Sequence, residues 1–125
     1  MLRVYISGPY RSDSEWGLQQ NIDYARDVAR QVWKWGFAAF CPHMNSAHFG
    51  GKDIKDKTFL SGDILWLDCA DAVIMLPHWD QSAGATKEFY SARKRNIPTI
   101  LWSYGLQHAR ESLDMIDLEL SLIHI

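Results

Sequence analysis

The chain has 125 residues, of which 47% are hydrophobic and 22% are charged, and its formal net charge is −2. This length predicts one domain, over residues 1–125, that buries roughly two thirds of its chain surface. The net charge of −2 argues against strong binding to a nucleic-acid polymer. Such binding requires an excess of basic side chains that displace counterions from the phosphates. Apolar runs are too short to span a bilayer and the N-terminus lacks a secretory h-region, so we expect a cytoplasmic protein with no membrane partner.

The first elements alternate between strand and helix patterns. LRVYIS at 2–7 is a short apolar run that ends at a Gly-Pro pair, which predicts a buried strand. An apolar stripe of helical spacing at 21–36 predicts the first helix, and FAAF at 37–40 predicts the second strand. The polar, glycine-bearing segment at 43–57 predicts a long loop, and loops of that length are often functional.

The second half continues the alternation. Residues 58–69 carry apolar side chains on one face, which predicts a helix, and DAVIML at 71–76 predicts a strand covered on both faces. Ser82 is the predicted N-cap of a third helix, whose basic end at 93–95 suits the helix dipole. The remaining elements are a strand at 97–102, a helix at 106–118 and an edge strand in LSLIHI at 120–125.

Strands that alternate with helices indicate βαβ units with right-handed crossovers. The sequence therefore predicts an α/β fold, a three-layer flavodoxin-like (Rossmann-like) domain with a mostly parallel sheet of four or five strands. Open sheets of this kind bind ligands beyond the carboxyl ends of their strands. Two segments at that edge contain side chains suited to chemistry, SGPYRS at 7–12 and PHWDQSAGATKE at 77–88.

In SGPYRS, Gly8 permits close approach to the backbone, Ser7 offers a hydroxyl, and Arg11 offers a guanidinium suited to a phosphate. The segment is neither a GxGxxG nor a Walker loop. The segment is therefore either a binding site for a phosphate or a sugar, or a plain turn after a strand.

In the second segment, Glu88 shares a helix face with Gly84 and Ala85, the residues four and three positions before it. Helical side chains tilt toward the N-terminus, which aims the Glu88 carboxylate over these two small residues. Glu88 is therefore either a solvated carboxylate or one that meets a substrate in the cleared space. Asp63, on the preceding helix, is either an exposed acid or a partly buried one that must be paired or used.

The cysteine and histidine pattern disfavours a metal site. Cys41 and Cys69 form no CxxC pattern, and Cys41 with His43 and His48 lacks a clear fourth ligand. The six Trp, five Tyr and five Phe residues predict a homodimer or a higher homo-oligomer, because aromatic rings are enriched at interfaces. Trp66 and Trp79 are the expected interface residues, and the alternative is that the rings fill the core.

The segments YISGPY (5–10), GDILWLDCADAVIML (62–76) and SAGATKE (82–88), in this order, resemble the nucleoside 2-deoxyribosyltransferase superfamily. The likeness covers roughly residues 2 to 102 and is nearest to the 2′-deoxynucleoside 5′-monophosphate N-hydrolases and to uncharacterised phage and bacterial members. It implies N-glycosidic cleavage or deoxyribosyl transfer on a (deoxy)nucleoside 5′-monophosphate, without a metal or organic cofactor. The segment after Trp102 and the 43–57 loop do not align with characterised members.

The resemblance places Glu88 at the position of the nucleophile that attacks the anomeric carbon of 2-deoxyribose. It places Asp63 at the position of an acid that contacts the substrate near the sugar and base. These residue types suit the reaction, because a carboxylate stabilises or captures an oxocarbenium-like centre and a second acid protonates the leaving base.

The resemblance and the two loops together predict a set of substrate-binding residues: Tyr5, Ser7, Gly8, Arg11, Ser82 and Gly84. Arg11 corresponds to an arginine that holds the 5′-phosphate. Ser82 stands where the hydrolases carry a phosphate-binding serine and where the transferases acting on free nucleosides carry an aspartate. Two alternatives stay open, a glycohydrolase acting on NAD or another dinucleotide, and a non-catalytic module that binds a small nucleotide.

Overall fold

The computed structural model describes residues 1–50 and 53–123. Its sheet consists of four parallel strands, β1 (Arg3–Ser7), β2 (Ala38–Phe40), β3 (Ala72–Met75) and β4 (Thr99–Leu101). The helices are α1 (Glu15–Lys34), α2 (Pro42–Asn45), α3 (Asp56–Leu67), α4 (Ala83–Lys94) and α5 (Leu106–Ile123). Short 3₁₀ turns at Trp79–Gln81 and Trp102–Tyr104 follow β3 and β4.

Helices cover both faces of the sheet. Val4 and Ile6 of β1 pack with residues of α1 and α5 in one buried cluster. Tyr5 packs with residues of α3 and α4 in a second cluster on the other face. Val4 and Ile6 lie on the face opposite to Tyr5 because successive side chains of a strand point to opposite faces of the sheet. The predicted three-layer, flavodoxin-like α/β fold with a parallel sheet is confirmed, with four strands.

The strand order β2-β1-β3-β4 determines where a ligand fits. The chain places β2 on one side of β1 and then returns to place β3 on the other side. The connections that leave β1 and β3 therefore diverge at their carboxyl ends, which opens a crevice between them. This topological switch point is where open α/β sheets bind ligands.

Helix α1 begins at Glu15, earlier than the predicted start at residue 21. The cause is Ser14, whose Oγ accepts a hydrogen bond from the backbone N–H of Gly17 at 3.0 Å and thereby caps the helix. The preceding loop is held against this first part of α1, because the Asn21 amide donates to the backbone oxygen of Tyr10 at 3.1 Å.

The predicted edge strand at 120–125 is wrong for its described part, because α5 continues from Leu106 to Ile123. Residues 124 and 125 lie outside the described residues. Leu113 is buried, and Ile116 and Leu120 pack against the same cluster, a spacing that one helix face produces. The apolar content of this segment therefore belongs to a helix that lies on the sheet and not to a strand within it.

The predicted loop at 43–57 contains more helix than expected. Its first residues belong to α2, and its last two, beginning at Asp56, open α3. Residues 51 and 52 of this predicted loop lie outside the described residues. Across residues 1–50 and 53–123, no helix combines the length and the apolar character that crossing a bilayer requires.

Candidate active site

A cavity of about 740 Å³ opens beside the carboxyl ends of β1 and β3. The loop after β1, the helices α2 and α3, and the first two turns of α4 supply its walls. Six of the residues predicted from the sequence line it: Gly8, Arg11, Asp63, Ser82, Gly84 and Glu88. The remaining two, Tyr5 and Ser7, lie directly behind Glu88. The fold thus gathers the predicted residues in one place, and their binding of a substrate stays a prediction.

Glu88 is buried, with only 6% of its surface exposed, so it is not a solvated helix carboxylate. The Tyr5 hydroxyl donates a hydrogen bond to Glu88 Oε2, and the Ser7 hydroxyl donates to Glu88 Oε1 at 2.9 Å. Both donors face α4 because they are two residues apart on β1 and share one face of the sheet. Each carboxylate oxygen therefore has a defined partner and the side chain has a defined orientation.

Burial raises the pKa of the Glu88 carboxyl to about 7. The hydrogen bonds from Tyr5 and Ser7 favour the charged form and oppose this rise, whereas the negative charge of Asp63 adds to it. Burial and the Glu88 charge also raise the pKa of Tyr5, which keeps its hydroxyl protonated as a donor. Glu88 thus exchanges a proton near neutral pH while its two donors stay in place.

Asp63 lies on the middle of α3, is half-buried and lines the same cavity. Burial raises the pKa of its carboxyl to about 6. Two carboxyls with raised pKa values at one cavity are a combination found at acid–base sites, where titration near neutral pH is useful. Of the two interpretations that the sequence left open for Asp63, the structure favours the partly buried one.

The small residues at the start of α4 clear space beside Glu88. A methyl group added at Gly84 meets no atom within 4 Å, so this position borders open cavity. Gly8 has a different reason to be glycine, because an added Cβ lies 2.6 Å from Cβ of Leu76. The close approach at Gly8 is therefore a packing contact between the ends of β1 and β3, whereas an added side chain at Gly84 enters open space.

Ser82 caps α4, as predicted. Its Oγ accepts a hydrogen bond from the backbone N–H of Ala85 at 3.2 Å. The helix N-terminus that it begins lines the cavity, where unpaired N–H groups and the helix dipole favour an anion. Arg11 also lines the cavity, and its guanidinium forms an ion pair with Asp56, the first residue of α3. The sequence prediction for Arg11 did not include this partner.

His43 is a site residue to which the sequence assigned no role in binding. It is 4% exposed, lines the cavity from α2, and its Nε2 lies 2.7 Å from the backbone oxygen of Pro9. A carbonyl only accepts, so Nε2 carries the proton and Nδ1 is an acceptor, which has no hydrogen-bond partner among the described residues. Burial lowers the pKa of His43 and keeps it neutral. The signal available in the sequence was its position just after β2, at the same edge of the sheet.

The described residues contain no group of three or more His, Cys, Asp or Glu side chains that is arranged to hold a metal ion. Cys41 is buried and Cys69 is exposed, and both are free thiols. The side chains that line the cavity include carboxyl groups, hydroxyl groups, imidazoles and cationic groups.

The fold is similar to that of a 2-deoxyribosyltransferase from the psychrotolerant bacterium Bacillus psychrosaccharolyticus. The TM-score is 0.57 at 15% sequence identity, and the match covers 79% of this chain and 70% of that chain. No curated protein matches the sequence. Residues 2–101 match the model of a family described as a domain of unknown function (DUF4406), and the chain belongs to that family.

Proposed function

We propose that this protein cleaves the N-glycosidic bond of a (deoxy)nucleoside 5′-monophosphate, by hydrolysis or by deoxyribosyl transfer. The observation that carries the proposal is Glu88, a buried carboxylate held by two hydroxyl donors beside a cavity that a second acid also lines. A solvated carboxylate needs neither these donors nor the open space beside Gly84. The fold shared with a 2-deoxyribosyltransferase supports the same class of reaction as an analogy.

In the proposed reaction, an oxygen of Glu88 bonds to the anomeric carbon of the sugar as the bond to the base breaks. The bonding electrons leave with the base, and Asp63 supplies the proton that neutralises it. Water, or a second base in a transfer reaction, then attacks the anomeric carbon, gives its proton to the ionised Asp63 and releases the Glu88 carboxylate. Tyr5 and Ser7 keep the Glu88 side chain in one orientation, because each donates a hydrogen bond to one of its carboxylate oxygens.

The opposite end of the substrate is proposed to carry a phosphate. The N-terminus of α4 offers N–H groups and the favourable end of the helix dipole, and Ser82 lies at that terminus. Arg11 lines the same cavity and has the guanidinium geometry that suits a phosphate. These groups favour a monophosphate over a free nucleoside, because only the monophosphate uses them.

The decisive experiment incubates the protein with a panel of 2′-deoxynucleoside 5′-monophosphates, ribonucleoside 5′-monophosphates, free nucleosides and NAD, and follows released base by chromatography. We expect base release from one or more monophosphates, and base exchange on addition of a second base if the enzyme is a transferase. Glu88→Gln should abolish both while the circular dichroism spectrum stays unchanged.

The other outcomes separate the alternatives. Nicotinamide released from NAD in preference to any base would replace the proposal by a dinucleotide glycohydrolase. A rise in melting temperature with a nucleotide, without product after long incubation, would identify a binding module. Full turnover by the Glu88→Gln variant would refute the nucleophile.

A further inference from the structure

We propose that Asp56 is a specificity-determining residue, whose carboxylate competes with a ligand phosphate for the guanidinium of Arg11. The inference rests on the proposed function, because it concerns how the same cavity distinguishes phosphorylated from unphosphorylated ligands. It extends that function by naming a residue that opposes phosphate binding.

The first support is geometric. Arg11 lies in the loop between β1 and α1, Asp56 begins α3, and the two side chains form an ion pair. Both residues line the cavity. The pair therefore joins two separate walls of the cavity and occupies the guanidinium that the proposed function assigns to a phosphate.

The second support is the distribution of charge around the cavity. Among the described residues, three Lys and Arg side chains line the cavity, those of Arg11, Lys57 and Lys87. Among residues 1–50 and 53–123, one acid, Asp56, lies within ion-pair distance of Arg11, and none lies within that distance of Lys57 or Lys87. Asp56 thus neutralises one particular cation of the cavity, the one with two-pronged hydrogen-bonding geometry.

The third support is the exposure of the pair. The side chains of Arg11 and Asp56 are 69% and 72% exposed, so water screens the attraction and the ion pair is weak. A phosphate dianion forms two charge-assisted hydrogen bonds with a guanidinium and displaces a single carboxylate. The displaced carboxylate stays close and repels the phosphate, whereas a ligand without a phosphate leaves the pair intact.

The test compares Asp56→Asn with the matched control Asp53→Asn. The control removes an equal charge from an exposed residue that does not line the cavity. Dissociation constants are measured by calorimetry for inorganic phosphate, for the four common 2′-deoxynucleoside 5′-monophosphates and for the matching nucleosides. The Glu88→Gln background prevents turnover, and each variant is also made with Arg11→Ala.

We expect Asp56→Asn to tighten binding of the phosphate-bearing ligands about three- to tenfold, as for removal of a competing exposed charge. Nucleoside binding should not change, the Asp53→Asn control should match the parent, and the gain should vanish in the Arg11→Ala background. Equal changes for both ligand classes, weaker monophosphate binding, or a gain that persists without Arg11 would each overturn the role of Asp56.

Different results would overturn the role of Asp56 and the proposed N-glycosidic reaction. If no variant binds a phosphate-bearing ligand, the Asp56 inference is overturned, whereas base release from free nucleosides would still support the N-glycosidic reaction. If Asp56→Asn tightens phosphate binding through Arg11 but the wild-type protein releases no base from any substrate, the inference stands and the catalytic proposal falls.

Discussion

At the scale of single residues, the burial that raises the pKa of Glu88 also lowers the free energy of unfolding when the carboxyl is ionised. The carboxyl is buried on a helix that packs against the sheet, and its pKa rises from 4.5 to about 7. Between these two pH values the folded state binds more protons than the unfolded state, so stability falls as the pH rises through this window. Above pH 7 the folded protein holds the ionised Glu88 carboxylate in a buried position, where it is less well solvated than in the unfolded chain.

The first prediction follows from this cost. Glu88→Gln removes the buried charge and keeps the shape of the side chain, so it should stabilise the protein at pH 8 by on the order of 3 kcal/mol. At pH 4, where both side chains are neutral, the gain should disappear. Urea unfolding at the two pH values measures it, with Glu119→Gln, an exposed glutamate on α5, as the control. A gain of equal size at both pH values would show that burial of the charge is not the cause.

The second prediction concerns the pair of acids. If Glu88 reacts ionised and Asp63 donates a proton, kcat/KM should depend on pH as a bell with apparent pKa values of about 6 and about 7. Below the bell both carboxyls are protonated, and above it both are ionised and no proton reaches the base. The pH profile of base release measures both limbs.

Asp63→Asn tests this assignment. The change removes the proton donor, which should reduce kcat about a hundredfold or more. It also removes the group whose ionisation stops proton donation above the bell, so the fall of kcat/KM at high pH should disappear. An unchanged profile would mean that Asp63 neither donates the proton nor acts on Glu88.

At the scale of elements, the N-cap and first two turns of α4 carry three residues of the candidate site. Ser82 caps the helix, Gly84 borders open space, and Glu88 follows one turn later at the back of the cavity. β1 supplies the complementary part, since the alternation of its side chains brings Tyr5 and Ser7 to α4. Glu88 and its two hydrogen-bond donors are therefore held by one helix and one strand that pack against each other.

The third prediction uses the open space beside Gly84. Gly84→Leu should leave the free energy of unfolding unchanged or raise it, because an added Cβ meets no atom and leucine is the better helix former. The side chain should block the substrate, with a loss of about a hundredfold in kcat/KM. Gly62→Leu on α3 is the matched control, because its added Cβ is equally free and the residue does not line the cavity. Equal activity of both variants would place the substrate elsewhere.

At the scale of the whole molecule, α3 carries apolar residues around most of its circumference. Leu65 and Trp66 are 69% and 56% exposed on its outer side, and the Trp66 ring stacks on Phe40. Trp79, the second residue expected at an interface, is partly buried and packs on Phe89 within the chain. A helix that is apolar on several sides is usually covered on each of them. Self-association through this face stays a prediction.

The fourth prediction tests that face. Light scattering at micromolar concentration should show a homodimer or a higher oligomer, and Trp66→Arg should produce monomer by placing a charge in the interface. Trp33→Arg, at a residue of similar exposure on α1 and the opposite side of the sheet, should leave the oligomer intact. A wild-type protein that is monomeric under these conditions would remove the prediction.

Local patterns in the sequence predicted much of the fold. Apolar runs that end at glycine and proline located the four strands, and helical spacing located α1, α3 and α4 but not the short α2. The same reasoning brought Glu88, Gly84 and Ser82 to one edge of the sheet, because their spacing is a property of one helix. The α5 segment was harder, since a short apolar run does not distinguish a buried helix from a strand, and its packing on the sheet decided the outcome.

The sequence by itself determined which residue types follow each strand, and therefore that acids, hydroxyls and small residues meet at the carboxyl edge of the sheet. Only the tertiary structure decided which of them touch. Tyr5 and Ser7 reach Glu88 across more than eighty residues of chain, and Arg11 meets Asp56 across 45, contacts that no local pattern encodes. The pKa of Glu88 was likewise decided by packing, because desolvation depends on every element that covers the carboxyl.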